Sequence, residues 1–337
     1  MTTQKLNQTL KQLIISHDNN YGFNVKDVIK KDFKKFPTLS IVLPFYEDKK
    51  IINLTLKHLY NGIDKVKDLD NKWKFEIIII DDGSKEAAKS SIDSKKFPEL
   101  KIIRHQANRG RTAVRNKGLH IAANELCLFM DSDILIDTDL ILNHLKVQKF
   151  ARQQYKKIIT VGFFEFLDME NPIVKQEKLL TKDIKLNDFR LDCIYQKSWF
   201  GCKEDKQYIG RQFKILQQTN MLRNWPKSGF LGPWLLTNMV LGGFFIVDTR
   251  QAKQVKGFSP SFTGYGFTET SLPTKLVSAF DNYIIPVPFK GGLHIEPKKS
   301  SLKHEREKKD SLFRKRHGYY FNNYLQLTLQ KALAETN

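Results

Sequence analysis

The sequence has little cysteine and no long apolar run. Three cysteines in 337 residues are too few and too scattered for a disulfide framework or a four-thiolate zinc site, and a reducing compartment such as the cytosol suits them. The opening residues MTTQKLNQTLKQ are polar and do not indicate a signal peptide. No apolar run approaches the roughly 18 residues of a membrane-spanning helix. We therefore expect a cytoplasmic protein that is soluble or bound peripherally to a membrane.

Several motifs of common enzyme classes are also missing. The chain has no G-x-S-x-G nucleophile elbow, no Walker loop, and no G-x-G-x-x-G that follows a predicted strand. Its 8 histidines show no H-E-x-x-H spacing. These absences argue against serine hydrolases, P-loop enzymes, dinucleotide-binding enzymes and the best-known zinc proteases.

Acidic residues are outnumbered, with 36 Asp and Glu against 56 Lys and Arg, for a formal net charge of +20. Such a balance favours an anionic partner: nucleic acid, an anionic membrane surface or a phosphorylated substrate. The stretch 298–318 is strongly basic and lies close to aromatic residues that can stack on bases. No recognised nucleic-acid motif accompanies it, so we do not expect nucleic acid as the partner.

Short apolar runs alternate with helical patterns between residues 38 and 140. The runs at 39–43, 75–80, 100–103 and 126–130 are typical of buried strands. Apolar residues at 52, 56, 59 and 63 fall on one face of a helix, and 112–123 is also helical in pattern. Further strands are predicted at 158–166, 242–248 and 283–287. This alternation predicts an α/β fold built from βαβ units.

Polar residues follow each of the first four predicted strands. They are PFYE at 44–47, DDGS at 81–84, NRGRTAVRN at 108–116 and DSD at 131–133. In an open parallel sheet, ligands bind outside the carboxyl ends of the strands. We therefore expect these four segments to border one cleft.

The residue types suit a divalent cation and a diphosphate. Asp131 and Asp133 can present oxygens to Mg²⁺ or Mn²⁺, and such a cation can stabilise a diphosphate leaving group. Arg109, Arg111 and Arg115 add cationic donors suited to phosphate. Each set alone also fits a simpler interpretation, namely solvated carboxylates on a turn and a solvated helix face.

In combination, SIVLPFYED, IIIIDDGS, NRGRTAVRNKGL and LFMDSDI resemble the nucleotide-sugar half of family 2 glycosyltransferases with the GT-A fold. The resemblance continues through LGGFFIVDTR at 241–250, GYGFTETSL at 264–272 and GGLHIEP at 291–297, and it covers about residues 38–297. It implies an α/β fold with a mostly parallel central sheet flanked by helices. It divides this domain into a nucleotide-sugar half, 38–140, and an acceptor half, 141–297.

The resemblance also implies roles for individual residues. The nucleotide-sugar site is expected to contain Pro44, Tyr46, Glu47, Asp81, Asp82, Arg109, Arg115, Asp131, Ser132 and Asp133. Acceptor contacts are expected from Gly243, Tyr265, Gly266 and Thr268. Asp133 and His294 are expected to hold Mn²⁺ or Mg²⁺, although an isolated histidine is as often structural.

The expected catalytic base is Glu269. It aligns with the second acid of the family's E-D pair in the G-W-G-x-E-D motif, while Thr268 replaces the first acid and Tyr265 replaces the tryptophan. A carboxylate within hydrogen-bond reach is needed because the acceptor hydroxyl must lose its proton as it attacks. Glu269 can serve, but its longer side chain must be placed differently.

The sequence thus predicts a metal-dependent inverting glycosyltransferase that uses a UDP-sugar and transfers a hexose or N-acetylhexosamine to a carbohydrate, lipid-linked or peptide acceptor. The alternative is a catalytically degenerate protein of the same fold that binds a nucleotide-sugar. Basic helical extensions are expected at 1–37 and 298–337, as candidates for self-association or for contact with an anionic membrane. The weakly periodic segment 165–230 is expected to form part of the acceptor wall and to act as a lid.

Overall fold

The structure is a computed structural model of the 337-residue chain. It describes residues 21–175 except 48, 94 and 98, then 195–196, 208–209, 240, 242–260, 268–269, and 271–296 except 288. Residues 1–20 of the expected N-terminal extension, the basic C-terminal extension and most of the expected lid therefore lie outside the described residues.

Strands and helices alternate through the first half of the chain, as predicted. The strands are β1 (Leu39–Phe45), β2 (Phe75–Asp81), β3 (Leu100–Arg104), β4 (Leu126–Met130), β5 (Ile134–Ile136), β6 (Ile158–Val161), β7 (Phe164–Asp168), β8 (Tyr195–Gln196), β9 (Tyr208–Ile209), β10 (Phe244–Asp248), β11 (Tyr283–Pro286) and β12 (Gly292–Glu296). The helices are α1 (Val25–Ile29), α2 (Ile52–Lys67), α3 (Ala88–Ser91), α4 (Arg111–Ile121), α5 (Leu140–Gln153), α6 (Pro172–Lys175), α7 (Thr249–Gln254) and α8 (Ser271–Phe280).

The central sheet has seven strands in the order β11-β6-β10-β4-β1-β2-β3. Strand β10 runs antiparallel to both of its neighbours, β4 and β6, whereas every other adjacent pair is parallel. Strands β1, β2 and β4 are buried along almost their whole length, as expected for a parallel sheet that is covered on both faces. The predicted α/β class, with a mostly parallel sheet flanked by helices, is confirmed.

Side-chain alternation along β1 divides the core into two layers. Leu39, Ile41 and Leu43 pack with α2 on one face, and Val42 packs with α4 on the other face. Helix α2 places Ile52, Leu56, Leu59 and Ile63 on its buried side, as the sequence periodicity predicts. Burial of each such side chain contributes roughly 1.5–3 kcal/mol.

The run predicted as one strand over 158–166 forms two strands in different sheets. Strand β6 belongs to the central sheet, whereas β7 belongs to a three-stranded sheet in the order β5-β12-β7. The chain changes sheets at Gly162 and Phe163, where Gly162 N–H donates to Phe244 and Phe163 accepts from Gly292 N–H. The sequence does not show this change of partner, because the largely apolar run continues through the point where the chain changes sheets.

The small sheet lies beside the carboxyl end of β4, where it brings a distant part of the chain to the predicted cleft. Strand β12 pairs with β5 and places His294 opposite Ile134, and Ile295 N–H donates to the carbonyl of Asp133 at 2.9 Å.

In the described part of the chain, no helix is both long and apolar enough to cross a bilayer.

Candidate functional site

Three ligand-type side chains converge where β4 ends and the small sheet begins. Asp131, Asp133 and His294 each offer one ligand atom, and these atoms lie within 4.8 Å of one another. The Nε2 atom of His294 is 3.2 Å from Oδ1 of Asp133. The backbone fixes this arrangement because Asp131 N–H donates to Gly243 and Ile295 N–H donates to Asp133.

The chemistry of this cluster fits a divalent cation. Two carboxylates and an imidazole suit Mn²⁺, and the carboxylates also suit Mg²⁺. Oδ1 of Asp133 is buried and has no hydrogen bond of good geometry within the described residues, despite the nearby imidazole. An orphaned carboxylate oxygen that faces a ring nitrogen is the arrangement expected of two ligands of one ion. Asp131, Asp133 and His294 are therefore the residues that could hold a metal.

A buried arginine joins the donor side of the site to the expected base. Arg115, on the inner face of α4, donates from Nη2 to Oδ1 of Asp131 and from Nη1 to Oε1 of Glu269, both at 2.8 Å. The Arg115 side chain is 1% exposed, whereas Asp131 and Glu269 keep 22% and 16% of their side-chain surface open. The two carboxylates can therefore meet a ligand, while the guanidinium lies behind them.

The arginine keeps both acids ionised. Burial by itself would raise the pKa of Asp131 and of Glu269, but Arg115, with help from Arg111, holds the pKa of each carboxyl below its ordinary value. The pKa of Arg115 is raised, because the pull of the two carboxylates outweighs burial, which favours the neutral guanidine. At neutral pH the cluster therefore contains one cation between two anions.

Gly242 makes room for this cluster. A Cβ at residue 242 would lie 2.2 Å from Nη2 of Arg115 and 2.7 Å from Cγ of Glu269. Since real side chains do not approach so closely, only glycine allows β10 to enter the sheet beside the ion pairs. This explains why a glycine stands at residue 242, two residues before β10 begins.

Asp81 and Asp82 have their oxygens occupied by the protein itself. Asp81 accepts backbone N–H bonds from Ser84 and Ala88. Asp82 accepts from the N–H groups of Arg109 and Gly110, and Nδ1 of His105 lies 2.9 Å from it. Both carboxylates are buried, and they hold the loops that follow β2 and β3.

The PFYE segment lies at the same edge of the sheet. Pro44 pairs with Ile80 in register, and Tyr46 beyond it is 48% exposed. Glu47 has a φ of 58°, and it accepts from Lys85 N–H at 2.7 Å while its own N–H donates to Ser84 Oγ. A non-glycine residue in this left-handed region is held by its surroundings, and it marks a loop of fixed shape.

The remaining predicted residues are placed as follows. The side chain of Arg109 is exposed, whereas Ser132 is buried and its carbonyl accepts from Oγ1 of Thr55. Thr268 is buried, and its carbonyl accepts from Oγ of Ser271. Gly243 packs against Phe164 and Ile134. Tyr265 and Gly266 lie outside the described residues.

Two contacts at the site do not follow from the sequence motifs. His105 comes directly after β3 and reaches Asp82. Phe166 on β7 packs edge-on against His294, with ring centroids 4.9 Å apart, yet it is 45% exposed. The parallel register of β7 with β12 pairs Phe166 with His294. Only the pattern F-x-F at 164–166 hints at such an aromatic wall.

The fold and site define a class of protein: an α/β protein that gathers carboxylates, a candidate metal cluster and cationic side chains at the carboxyl ends of neighbouring parallel strands. The profile of glycosyl transferase family 2 matches residues 40–219, more than half of the chain. The chain belongs to this family, and the GT-A fold class predicted for it is confirmed by the family match together with the mostly parallel sheet.

The chain is also similar to individual glycosyltransferases. The chain is 30% identical over 127 residues to the uncharacterized glycosyltransferase YfnE of Bacillus subtilis, which covers 37% of this chain and 29% of the relative. It is 29% identical over 97 residues to the dolichyl-phosphate beta-glucosyltransferase ALG5A of Trichomonas vaginalis, with 28% and 30% covered. The chain thus spans less than a third of the length of these relatives.

Among solved structures, the mannosyltransferase PcManGT from Pyrobaculum calidifontis, in complex with GDP-Man and Mn²⁺, is similar to this chain. The TM-score is 0.48 at 14% identity, over 99% of this chain and 86% of the other.

Proposed function

We propose that this protein is a metal-dependent inverting glycosyltransferase that moves a hexose or N-acetylhexosamine from a UDP-sugar to an acceptor hydroxyl. The acceptor is a carbohydrate, a lipid-linked glycan or a peptide side chain. One observation supports this proposal above all. Glu269, although distant in sequence, shares the guanidinium of Arg115 with Asp131, which belongs to the candidate metal cluster. Family membership supports glycosyl transfer as the reaction class.

The residues divide the chemistry between them. In a direct displacement, the acceptor oxygen forms a bond to the anomeric carbon while the bond from that carbon to the diphosphate oxygen breaks. The bonding electron pair leaves with the diphosphate, and the hydroxyl proton passes to the Glu269 carboxylate. A divalent cation held by Asp133, His294 and Asp131 would stabilise the negative charge on the diphosphate.

The charge state of Glu269 is compatible with its role as the base. Its carboxyl is ionised at neutral pH because Arg115 holds the pKa below the ordinary value, against the effect of burial. The neighbouring Thr268 is buried and contributes its carbonyl to Ser271. Among the described residues of this segment, Glu269 is therefore the acidic residue whose side chain lies beside the cluster.

A nucleotide-sugar screen tests the proposal without knowledge of the acceptor. We expect nucleotide release from at least one of UDP-glucose, UDP-galactose, UDP-N-acetylglucosamine and UDP-N-acetylgalactosamine in the presence of Mn²⁺, and its loss on chelation. GDP-mannose is included as a donor that should not react, and release from it alone would contradict the proposed UDP-sugar donor. Asp133→Ala should abolish release, because it removes a carboxylate of the candidate metal cluster. Asp93→Ala serves as the control, since Asp93 pairs with Lys96 on the surface. Full activity of Asp133→Ala would show that the reaction does not depend on a metal held by this carboxylate.

A binding protein without turnover is the second candidate. It is favoured by the ion pair that Glu269 already makes with Arg115, since a carboxylate with a lowered pKa is a weaker proton acceptor. Calorimetry with UDP and Mn²⁺ that shows binding, alongside no release from any donor, would support this second function.

Glu269→Gln distinguishes the two candidates. In an enzyme, this substitution removes the proton acceptor and should lower the rate by about 100-fold or more, while the affinity for UDP with Mn²⁺ stays the same. If the Gln variant keeps the wild-type rate of transfer, Glu269 is not the base.

A further inference from the structure

The guanidinium of Arg115 connects two parts of the site that come from distant parts of the chain. Asp131 follows β4, and Glu269 precedes α8, 154 residues beyond Arg115. Each carboxylate accepts one bond of 2.8 Å from a different terminal nitrogen. A planar guanidinium therefore sets the separation and the relative orientation of the two acids.

The arginine itself is held in place from several sides. Gly242 lies so close that a Cβ there would approach Nη2 to 2.2 Å, and the ring of Phe258 lies 5.9 Å from the guanidinium carbon. The next residue, Asn116, exchanges two hydrogen bonds of 2.8 Å with the backbone of Phe258. Helix α4 is thereby tied to the segment after α7, and the arginine has little freedom to move.

This geometry leaves little of Arg115 for a phosphate. Both terminal nitrogens already donate to carboxylates, and the side chain is 1% exposed. Arg109, just before α4, and Arg111, its first residue, are exposed and can therefore meet a diphosphate without breaking the buried ion pairs. The guanidinium has further N–H groups, among them Nε–H, which has no hydrogen-bond partner within the described residues. At 1% exposure, however, a phosphate could reach them only if the side chains around Arg115 moved aside.

We propose that Arg115 is a positioning residue, which aligns the Glu269 carboxylate with the donor end of the site at Asp131 and does not itself bind the nucleotide. This inference rests on the proposed function. Without the arginine, two partly buried carboxylates would repel each other, and Glu269 would turn away or take up a proton. A misplaced base slows the reaction even when the donor still binds.

The first test separates rate from affinity in Arg115→Gln. We expect kcat for nucleotide release to fall by about 100-fold, whereas the Kd for UDP with Mn²⁺, measured by calorimetry, changes by no more than about threefold. Arg152→Gln is the matched control, because Arg152 also bridges two acids, Glu125 and Asp248, away from the cluster. The control should keep the wild-type kcat.

The second test asks whether Arg115 acts through Glu269. If it does, Arg115→Gln combined with Glu269→Gln should be no slower than Glu269→Gln alone, because the base that needs alignment is already gone. This double variant also removes one charge of each sign.

Arg115→Lys covers the case in which Arg115→Gln does not fold. It keeps a buried cation that can reach one carboxylate, so its kcat should lie between those of the wild type and Arg115→Gln.

The results separate the inference from the function on which it rests. If the wild type releases nucleotide from no donor, the proposed function fails, and the positioning role fails with it. If the wild type is active, two results would overturn the positioning role alone: a Kd for UDP that rises in Arg115→Gln or Arg115→Lys as much as kcat falls, or multiplicative losses in the double variant.

Discussion

At the scale of single residues, the carboxylates of the strand ends divide into two kinds. Asp81 and Asp82 accept backbone N–H bonds and are buried, so they stabilise the loops that follow β2 and β3. Asp131, Asp133 and Glu269 keep exposed surface, so they can meet a ligand. The sequence motifs D-D and D-x-D do not reveal this difference. Whether a carboxylate is occupied depends on which N–H groups the fold brings near it.

Phe166 leads to a prediction at this scale. Its half-exposed ring lies against His294, where an aromatic face can pack on a sugar. Phe166→Ala should raise KM for the nucleotide-sugar by about tenfold, which corresponds to roughly 1.4 kcal/mol. The affinity for free UDP with Mn²⁺ should stay unchanged, since UDP lacks the sugar.

The matched control for this prediction is Tyr155→Ala, which removes another aromatic ring, 97% exposed, from a turn after α5. This variant should leave KM unchanged. Equal effects of the two substitutions on KM, or a weaker affinity of Phe166→Ala for UDP itself, would contradict a contact between Phe166 and the sugar.

At the scale of elements, helix α5 carries a buried histidine into the core. His144 is fully buried, its ring lies edge-on to Phe244, and neither ring nitrogen has a hydrogen-bond partner within the described residues. Burial lowers the pKa of His144 to about 3. The helix therefore packs on the sheet with a neutral imidazole, and protonation opposes that packing.

The stability of the fold should therefore depend on pH through His144. The folded-state pKa lies below the unfolded value of about 6.5, so the unfolded chain binds the extra proton first. The contribution of His144 is complete above about pH 6.5 and decreases by roughly 1.4 kcal/mol per unit as the pH falls from there toward the folded pKa. His144→Leu should flatten this part of the curve of unfolding free energy against pH, measured by urea denaturation.

His120→Leu is the control for this measurement, since His120 is exposed at the end of α4. It should leave the slope between pH 4 and 6.5 close to that of the wild type. Parallel curves for the wild type and His144→Leu would show that the buried imidazole does not set the acid sensitivity.

At the scale of the whole molecule, the net charge of +20 is the dominant property. It predicts attraction to anionic surfaces, which falls as salt shortens the screening length to about 8 Å at 0.15 M. The full chain should sediment with vesicles that contain phosphatidylglycerol at low salt and be released at about 0.5 M NaCl.

Vesicles of phosphatidylcholine alone provide the control for this experiment, and they should bind little protein at any salt concentration. Binding to neutral vesicles, or binding that persists at high salt, would point to apolar insertion and not to charge as the cause of membrane contact.

Local patterns were sufficient for most of the strands and helices of the first half. The strand over 126–130 and the buried face of α2 appear where periodicity placed them. The order of β6, β10 and β11, which come from distant parts of the chain, was not predictable, because neighbours in a sheet are chosen by packing across the whole core. The same reason accounts for the split of 158–166 between two sheets.

The sequence by itself determined the fold class, the family, and the segments that supply the candidate site, since strand periodicity and the order of motifs are local properties of the chain. Tertiary structure decided the relations between distant residues: Arg115 beneath Asp131 and Glu269, His294 beside Asp133, and Phe166 against His294. Such contacts join residues that a linear pattern keeps apart, and they form only when burial brings their charges and rings within a few ångströms of each other.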